Sequence, residues 1–389
     1  MEEETIELTK ELIRIPSENP TGTEAAVAER VEAYLRGLGV EVERDPVVDG
    51  RENLIAEMGG SANGPALVFL NHMDTVPVGE GWTRDPFGAR EEDGRIWGRG
   101  SCDMKGGLAA GLTALKSLKA RLDRGARAAR AVRCCLVVDE EGPWMRGVSA
   151  AIDRERIGPR DVVLSCEPTG LRLMTAQKGA MWYEVLITGK SAHAAAPHMG
   201  ADAVQAAART AIGLRERGAA LSAAHPLLGA STVVVSVIAG GRKTNVVADG
   251  CRLEVDVRFV PPLTVPDARA LVEAAAAEAC AEVPGTSAEV RPLSVDRPPI
   301  LADPEAEGAR LIGEAFRAAT GGEIETGGVS YYSDAGLVAA RTGNRQCFLF
   351  GPGNIEQAHA PDEFIDVDEL RAAARVLGRL AEKFALENP

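Results

Sequence analysis

The chain has 389 residues, 45% hydrophobic and 26% charged, which excludes a wholly disordered polypeptide and leaves room for two domains with a large core. Its 43 Lys+Arg against 57 Asp+Glu give 43 − 57 = −14, a balance that argues against a nucleic-acid or anionic-membrane partner, since both need cations to meet phosphate. No apolar run approaches the roughly 20 residues of a membrane span. The acidic start Met1-Glu2-Glu3-Glu4 lacks the basic region and apolar core of a secretory signal, so a cytoplasmic location is expected. The seven cysteines show no C-x-x-C spacing and read as buried, inert thiols of a reducing compartment.

Helical spacing over residues 5–15 stops at Pro16, and Pro16-Ser17-Glu18-Asn19-Pro20-Thr21-Gly22 reads as a loop of turn formers. A second amphipathic helix over 24–37 puts Val27, Val31, Tyr34 and Leu35 on one face, with Gly39 just past its end. Strands are expected at 40–42, 53–58 and 66–70; the last is continuously apolar, as a strand covered on both faces would be. A helix at 106–121 and a buried strand at 131–138 continue an α/β layer pattern. From about Ala180 the texture changes to strand 181–189, helix 202–216, strands 231–239 and 251–259, helix 267–280 and strand 288–293, the ferredoxin-like β-α-β-β-α-β plan. A helix at 304–319, a strand at 346–350 and a helix at 367–386 then restore the α/β texture. A small domain, 180–293, inserted into a discontinuous larger one, 1–179 and 294–389, is the expected organisation.

Chemistry-bearing residues cluster just beyond the apolar strands. His72 and Asp74 follow the 66–70 run, where binding crevices of parallel sheets open, and residues i and i+2 of an extended chain share a face. The carboxylate could orient the imidazole as a metal ligand, or His72 could be a histidine satisfied at a strand end. Gly98-Arg99-Gly100-Ser101-Cys102-Asp103-Met104-Lys105-Gly106-Gly107 sets an acidic residue among glycines before a helix, without the spacing of a phosphate loop, and suits a cation better. Asp139-Glu140-Glu141 ends the 131–138 strand, either solvated or gathered by positive charge. Glu167 follows strand 162–164, and His359 follows the Gly351-Pro352-Gly353 turn. His72, Asp103, Glu141, Glu167 and His359 form a nitrogen-and-carboxylate set without thiolate, which suits catalytic Zn²⁺, with Co²⁺ or Mn²⁺ as alternatives.

Six blocks in order, His72-Met73-Asp74-Thr75-Val76-Pro77, Trp82-Thr83-Arg84-Asp85-Pro86-Phe87, 98–107, Asp139-Glu140-Glu141, Cys166-Glu167-Pro168-Thr169 and 351–363, resemble the di-zinc aminoacylase/carboxypeptidase family of metallopeptidases. That family includes acetylornithine deacetylase, succinyl-diaminopimelate desuccinylase and glutamate carboxypeptidase. The resemblance implies a zinc-peptidase-like three-layer catalytic domain carrying a ferredoxin-like lid and dimerisation domain. It implies that Asp103 bridges two Zn²⁺, that His72 and Glu167 complete one metal, and that Glu141 and His359 complete the other. Asp74 would hydrogen-bond His72, Glu140 would be the general base, and the Asp103-Met104 peptide would be cis. His193 would donate to the oxyanion across a homodimer interface, and Asn245 and Arg258 would hold a substrate carboxylate, although a strand-surface salt bridge is the other reading of Arg258. Asp202 and the Tyr331-Tyr332-Ser333-Asp334 run depart from the family pattern at positions expected to touch the acyl or side-chain pocket.

The function expected is amide cleavage of an N-acyl amino acid, with an acetylornithine deacetylase-like activity first. Succinyl-diaminopimelate desuccinylase and dipeptidase or carboxypeptidase activities are the alternatives within the family. A non-catalytic binding relative ranks below these, because all five ligands and Glu140 are present. A thiol hydrolase using Cys134 or Cys135 ranks lower still, as both lie inside an apolar strand.

Overall fold

The computed structural model describes residues 1–20, 24–48, 50–60, 64–221 and 224–386, so Thr21 and Gly22 of the expected loop lie outside the described residues. The chain divides into two compact units, Met1–Thr175 with Leu301–Gly327 and Ser333–Pro389, and Ala176–Ile300 with Gly328–Tyr332.

The first unit is built on a mixed sheet whose strands run side by side as Val42–Val48, Arg51–Met58, Val132–Val137, Leu67–His72, Val162–Ser165, Cys347–Leu349 and Leu173–Gln177. The four strands from Val132–Val137 to Cys347–Leu349 are mutually parallel, and antiparallel strands flank them. Leu67 and Phe69 join the main core with Leu136 and Leu164, whereas Val68 and Leu70, equally inaccessible, face the other way by strand alternation. Both faces of the sheet are therefore covered, which is why these strands read as unbroken apolar runs. Helices Glu2–Ile13, Gly106–Asp123, Glu307–Thr320 and Val367–Ala385 pack on one another, and Arg146–Asp153 packs on Asp334–Thr342.

Sequence reasoning missed short elements. The strand expected at 40–42 runs instead over Val42–Val48, a sheet-edge strand with exposed charges and a register shift at Pro46/Val48 that masks its alternation. Arg90–Glu92, Arg95–Trp97 and Phe364–Asp366 make a separate three-stranded sheet of very short strands. That sheet pairs Phe364 with Trp97, which brings Glu363 against the 98–103 loop.

The second unit holds Gly179–Thr188, helix Ala203–Ala219, Thr232–Gly240, Gly250–Phe259, helix Val265–Glu282 and Ser287–Pro292. Numbered one to four along the chain, its strands lie in the order two, three, one, four, all antiparallel, which is the ferredoxin-like arrangement. The unit also takes in 176–179, 294–300 and 328–332. Pairing continues beyond 293, because Ala180 N–H donates to the Arg297 carbonyl at 2.9 Å. Asp202 caps the first helix of this unit, accepting from the amides of Val204 (2.9 Å) and Gln205 (3.2 Å). Among the described residues, no helix is long and apolar enough to cross a membrane.

Candidate metal centre

The four parallel strands deliver their carboxyl ends to one edge of the sheet. His72 closes its strand, Asp139-Glu140-Glu141 follows Val132–Val137, Glu167 follows Val162–Ser165, and the segment after Cys347–Leu349 leads to His359. Asp103 enters from the loop before helix Gly106–Asp123, and its peptide bond to Met104 is cis. Two glycines allow the close approach. A Cβ on Gly107 would fall 2.0 Å from the Cys166 carbonyl oxygen, and one on Gly351 would fall 2.3 Å from the same atom.

The ligand atoms of His72, Asp103 and Glu167 lie within 4.8 Å of one another, as do those of Asp103, Glu141 and His359. The two triads share Asp103. One of its oxygens meets His72 Nε2 at 3.1 Å, and the other meets His359 Nε2 at 3.3 Å. His359 Nε2 also lies 3.2 Å from Glu141 Oε1. Glu140 groups with His72 and Glu141 in a third such cluster. All five expected ligands and Glu140 thus come together.

The electrostatics are those of a site short of positive charge. Burial pushes Glu167 up to about 8, with the Asp103 carboxylate adding to the shift. Burial also drives Glu140 well above the usual carboxylate range, His72 opposing and Glu141, Glu167 and Asp103 reinforcing. The hydrogen bonds of His359 to Asp103 and Glu141 raise its imidazole to about 11. Burial disfavours a charged His72, yet the Asp103 hydrogen bond and the Glu140 charge carry it well above its ordinary value. Burial alone would raise Asp103, but the two imidazoles hold it below the ordinary range. Carboxyls driven up and imidazoles drawn up are what a cation at this point would relieve, and the nitrogen-and-oxygen donor set suits a divalent metal of the zinc type.

Asp74 is placed differently from expectation. His72 Nδ1 meets the backbone oxygen of Asp74 at 2.9 Å, while the carboxylate stays 3.6 Å away. That carboxylate accepts instead from Glu140 N–H (3.2 Å), Glu141 N–H (3.1 Å) and Asn19 Nδ2 (2.8 Å). Two further carboxylates, Glu363 and Asp334, bear on the centre. Glu363, 1% exposed, accepts from Arg99 Nη1 at 2.6 Å and from the amides of Gly100, Cys102 and Asp103 at 3.0, 2.9 and 3.1 Å, which fixes the loop that carries Asp103. Its place four residues after His359 was the available signal. Asp334, at the start of its helix, is buried, and its charge adds to the shift of Glu167.

The residues of the second unit are described within it. His193 and Asn245 lie on adjoining loops, joined by Ala194 N–H to the Asn245 carbonyl (3.1 Å) and by pairing of His193 with Val246. Both side chains are exposed, and His193 Nδ1 accepts from Ala195 N–H at 3.1 Å. Arg258 is engaged otherwise: its fork grips Asp256 through Nε (2.7 Å) and Nη2 (2.9 Å), the strand-surface salt bridge that was its other reading. Cys134 and Cys135 are fully buried, and burial pushes the Cys134 thiol up to about 12, which suppresses any thiolate nucleophile.

Comparison with known proteins agrees with this geometry. The family model "Peptidase family M20/M25/M40" matches residues 68–383. Acetylornithine deacetylase of Proteus mirabilis is 30% identical over 401 residues, covering 98% of this chain and 97% of that one. The M20 family metallo-carboxypeptidase Sso-CP2 of Sulfolobus solfataricus superposes with a TM-score of 0.80 at 20% identity, over 98% of this chain and 99% of that one. The YXEP protein of Bacillus subtilis, described as a dinuclear metal binding peptidase from the M20 family, gives a TM-score of 0.66 at 17% identity, over 98% and 97% of the two chains.

Proposed function

We propose, from the premise that the chain belongs to peptidase family M20/M25/M40, that it hydrolyses the amide of an N-acyl amino acid at a two-metal centre, with an acetylornithine deacetylase-like activity. The observation that carries the reading is Asp103 shared between two ligand triads, with Glu140 grouped beside them. His72 and Glu167 are assigned to one metal, Glu141 and His359 to the other, and Asp103 to both. Two Zn²⁺, or Co²⁺ in their place, are the proposed ions; they would polarise the scissile carbonyl and acidify the attacking water.

The chain's own groups do the rest. Glu140, raised by burial, is suited to take a proton from water and return it to the departing nitrogen. Asp74 sets the direction of Glu140 by holding its amide and that of Glu141, so that adjacent carboxyls serve different ends. His193 is proposed as the oxyanion donor and Asn245 as a substrate contact, on the family pattern; Arg258 could join them only by releasing Asp256.

A homodimer is proposed through Thr232–Gly240, an edge strand paired on one side only among the described residues, where Val234 and Ile238 are each 53% exposed. Sedimentation of a Val234→Lys/Ile238→Lys variant should show monomer where the parent shows dimer. A cytoplasmic location is supported by the seven free cysteines. The functional test is hydrolysis of N-acetylornithine, N-succinyl-diaminopimelate and simple dipeptides with Zn²⁺ or Co²⁺ supplied, alongside metal analysis. Turnover of the first, abolished by a chelator, is expected. No turnover on any of them by metal-replete protein would refute the reading, and preferential turnover of another would reassign the substrate.

A further inference from the structure

The loop before the second helix reaches the centre of the site. Asn19 is 6% exposed, and its side-chain amide donates to Asp74 Oδ2 at 2.8 Å and to Asp139 Oδ1 at 3.1 Å. The loop is fixed in place by its backbone: Asn19 N–H donates to the Thr75 carbonyl at 2.8 Å, and Thr75 N–H to the Ser17 carbonyl at 2.9 Å. One amide group thus stands between two buried carboxylates, 1% and 4% exposed, that would otherwise repel each other.

Those two carboxylates govern the backbone of Glu140 and Glu141. Asp74 accepts both of their amides. Asp139 adopts a φ of +64, a left-handed conformation uncommon for a residue with a side chain, and the chain turns there between the strand and Glu140. Its carboxylate is tied down by Asn19, by Arg51 Nη1 at 3.2 Å and by the Arg146 amide at 3.3 Å. Arg51 is in turn gripped by buried Glu24, through Nε at 2.8 Å and through Nη2. The turn at Asp139 and the two amides after it are therefore set by hydrogen bonds, and the Asn19 side chain donates to both carboxylates.

We infer that Asn19 is a positioning residue for Glu140 and Glu141: by cross-linking Asp74 to Asp139 it fixes the turn that sends the two adjacent carboxyls to different tasks. It touches no reacting atom; it acts through the backbone they share. The inference rests on the proposed roles of Glu140 and Glu141, and its test has one part that needs no activity.

The experiment uses the full chain with Asn19→Ala and, in parallel, Asn19→Asp, which keeps the shape, removes both donors and adds a third carboxyl. Hydrogen–deuterium exchange of a peptide covering residues 139–142 should accelerate at least tenfold in Asn19→Ala while peptides from the parallel strands keep parental protection. In steady-state assays of metal-replete protein, kcat should fall at least tenfold with KM within threefold, and bound metal should stay at the parental ratio. Asn19→Asp should lose at least as much kcat as Asn19→Ala. Unchanged exchange in 139–142, or acceleration spread evenly over the whole chain, would overturn the inference, as would a kcat within twofold of the parent. A parent without amidase activity would sink the proposed function and leave the exchange result to decide the role of Asn19.

Discussion

Replacing Glu363 by glutamine perturbs the site without changing its shape. The Glu363 carboxylate takes four donors: Arg99 Nη1 and the amides of Gly100, Cys102 and Asp103. Glutamine keeps one acceptor oxygen and turns the other into a donor, so two of those four groups meet an NH₂ group. Arg99, 2% exposed, then holds an unmatched charge. Removing one partner of a buried pair typically costs about 3–5 kcal/mol. Arg99 retains a hydrogen bond to the Val78 carbonyl at 3.1 Å and lies 5.2 Å from the Trp82 ring centroid, so the lower end of that range applies. About 3 kcal/mol converts to a fall in Tm of roughly 6–12 °C for a unit of this size. Metal affinity should fall in parallel by about 10–100-fold, because the amide of Asp103 loses its anchor. The assay is calorimetry of metal-free protein, followed by metal titration against a chelating dye. Arg99→Met combined with Glu363→Gln should recover part of the loss, since no lone charge remains. A Tm within about 2 °C of the parent for Glu363→Gln, or a double variant no better than the single one, would refute the reasoning.

Glu140→Gln should retain its metal and its KM while kcat falls by about 10²–10⁴, as loss of a general base requires; parental turnover would be incompatible with that role. Metal affinity should rise with pH, most steeply below about 8, because burial keeps Glu167 protonated below that value and a cation must displace its proton, and less steeply above it while His359 still holds one. His359, raised to about 11 by Asp103 and Glu141, adds to proton release, so titration calorimetry in buffers of different ionisation enthalpy should register protons leaving on binding. Asp202→Ala should lower stability by about 1 kcal/mol through loss of the helix cap and leave KM unchanged; a raised KM would return Asp202 to the substrate pocket.

The sheet and the convergence of the histidines and carboxylates were legible because each obeys a local rule. A strand covered on both faces reads as an apolar run, and a polar residue just past its end stands at the mouth of a crevice, as His72 and Glu167 do. The supports were not legible, because no local pattern joins Asn19 to Asp139 or Glu363 to Gly100; they meet only after the parallel strands are in register. Asp74 shows how a short motif can be read one atom off. The His-x-Asp spacing suggested a carboxylate on the imidazole, but two backbone amides and Asn19 claim the carboxylate, and the backbone oxygen takes the ring. Arg258 and Asp202 each have a nearby partner that short motifs do not reveal: an Asp two residues away on the same strand holds the guanidinium fork, and the amides at a helix start hold the carboxylate.

The insertion of Cys347–Leu349 beside Val162–Ser165 has a consequence for birth on the ribosome. The gap is 347 − 165 = 182 positions, so at about 5–20 residues per second the older strand waits roughly 10–40 s for its neighbour. Throughout that interval a bare apolar edge faces the cell, while the intervening stretch Ala176–Ile300 has emerged and is free to collapse on its own. Nascent chains stalled before position 347 should accordingly recruit chaperones that cover unpaired strands, and those stalled well after it should not.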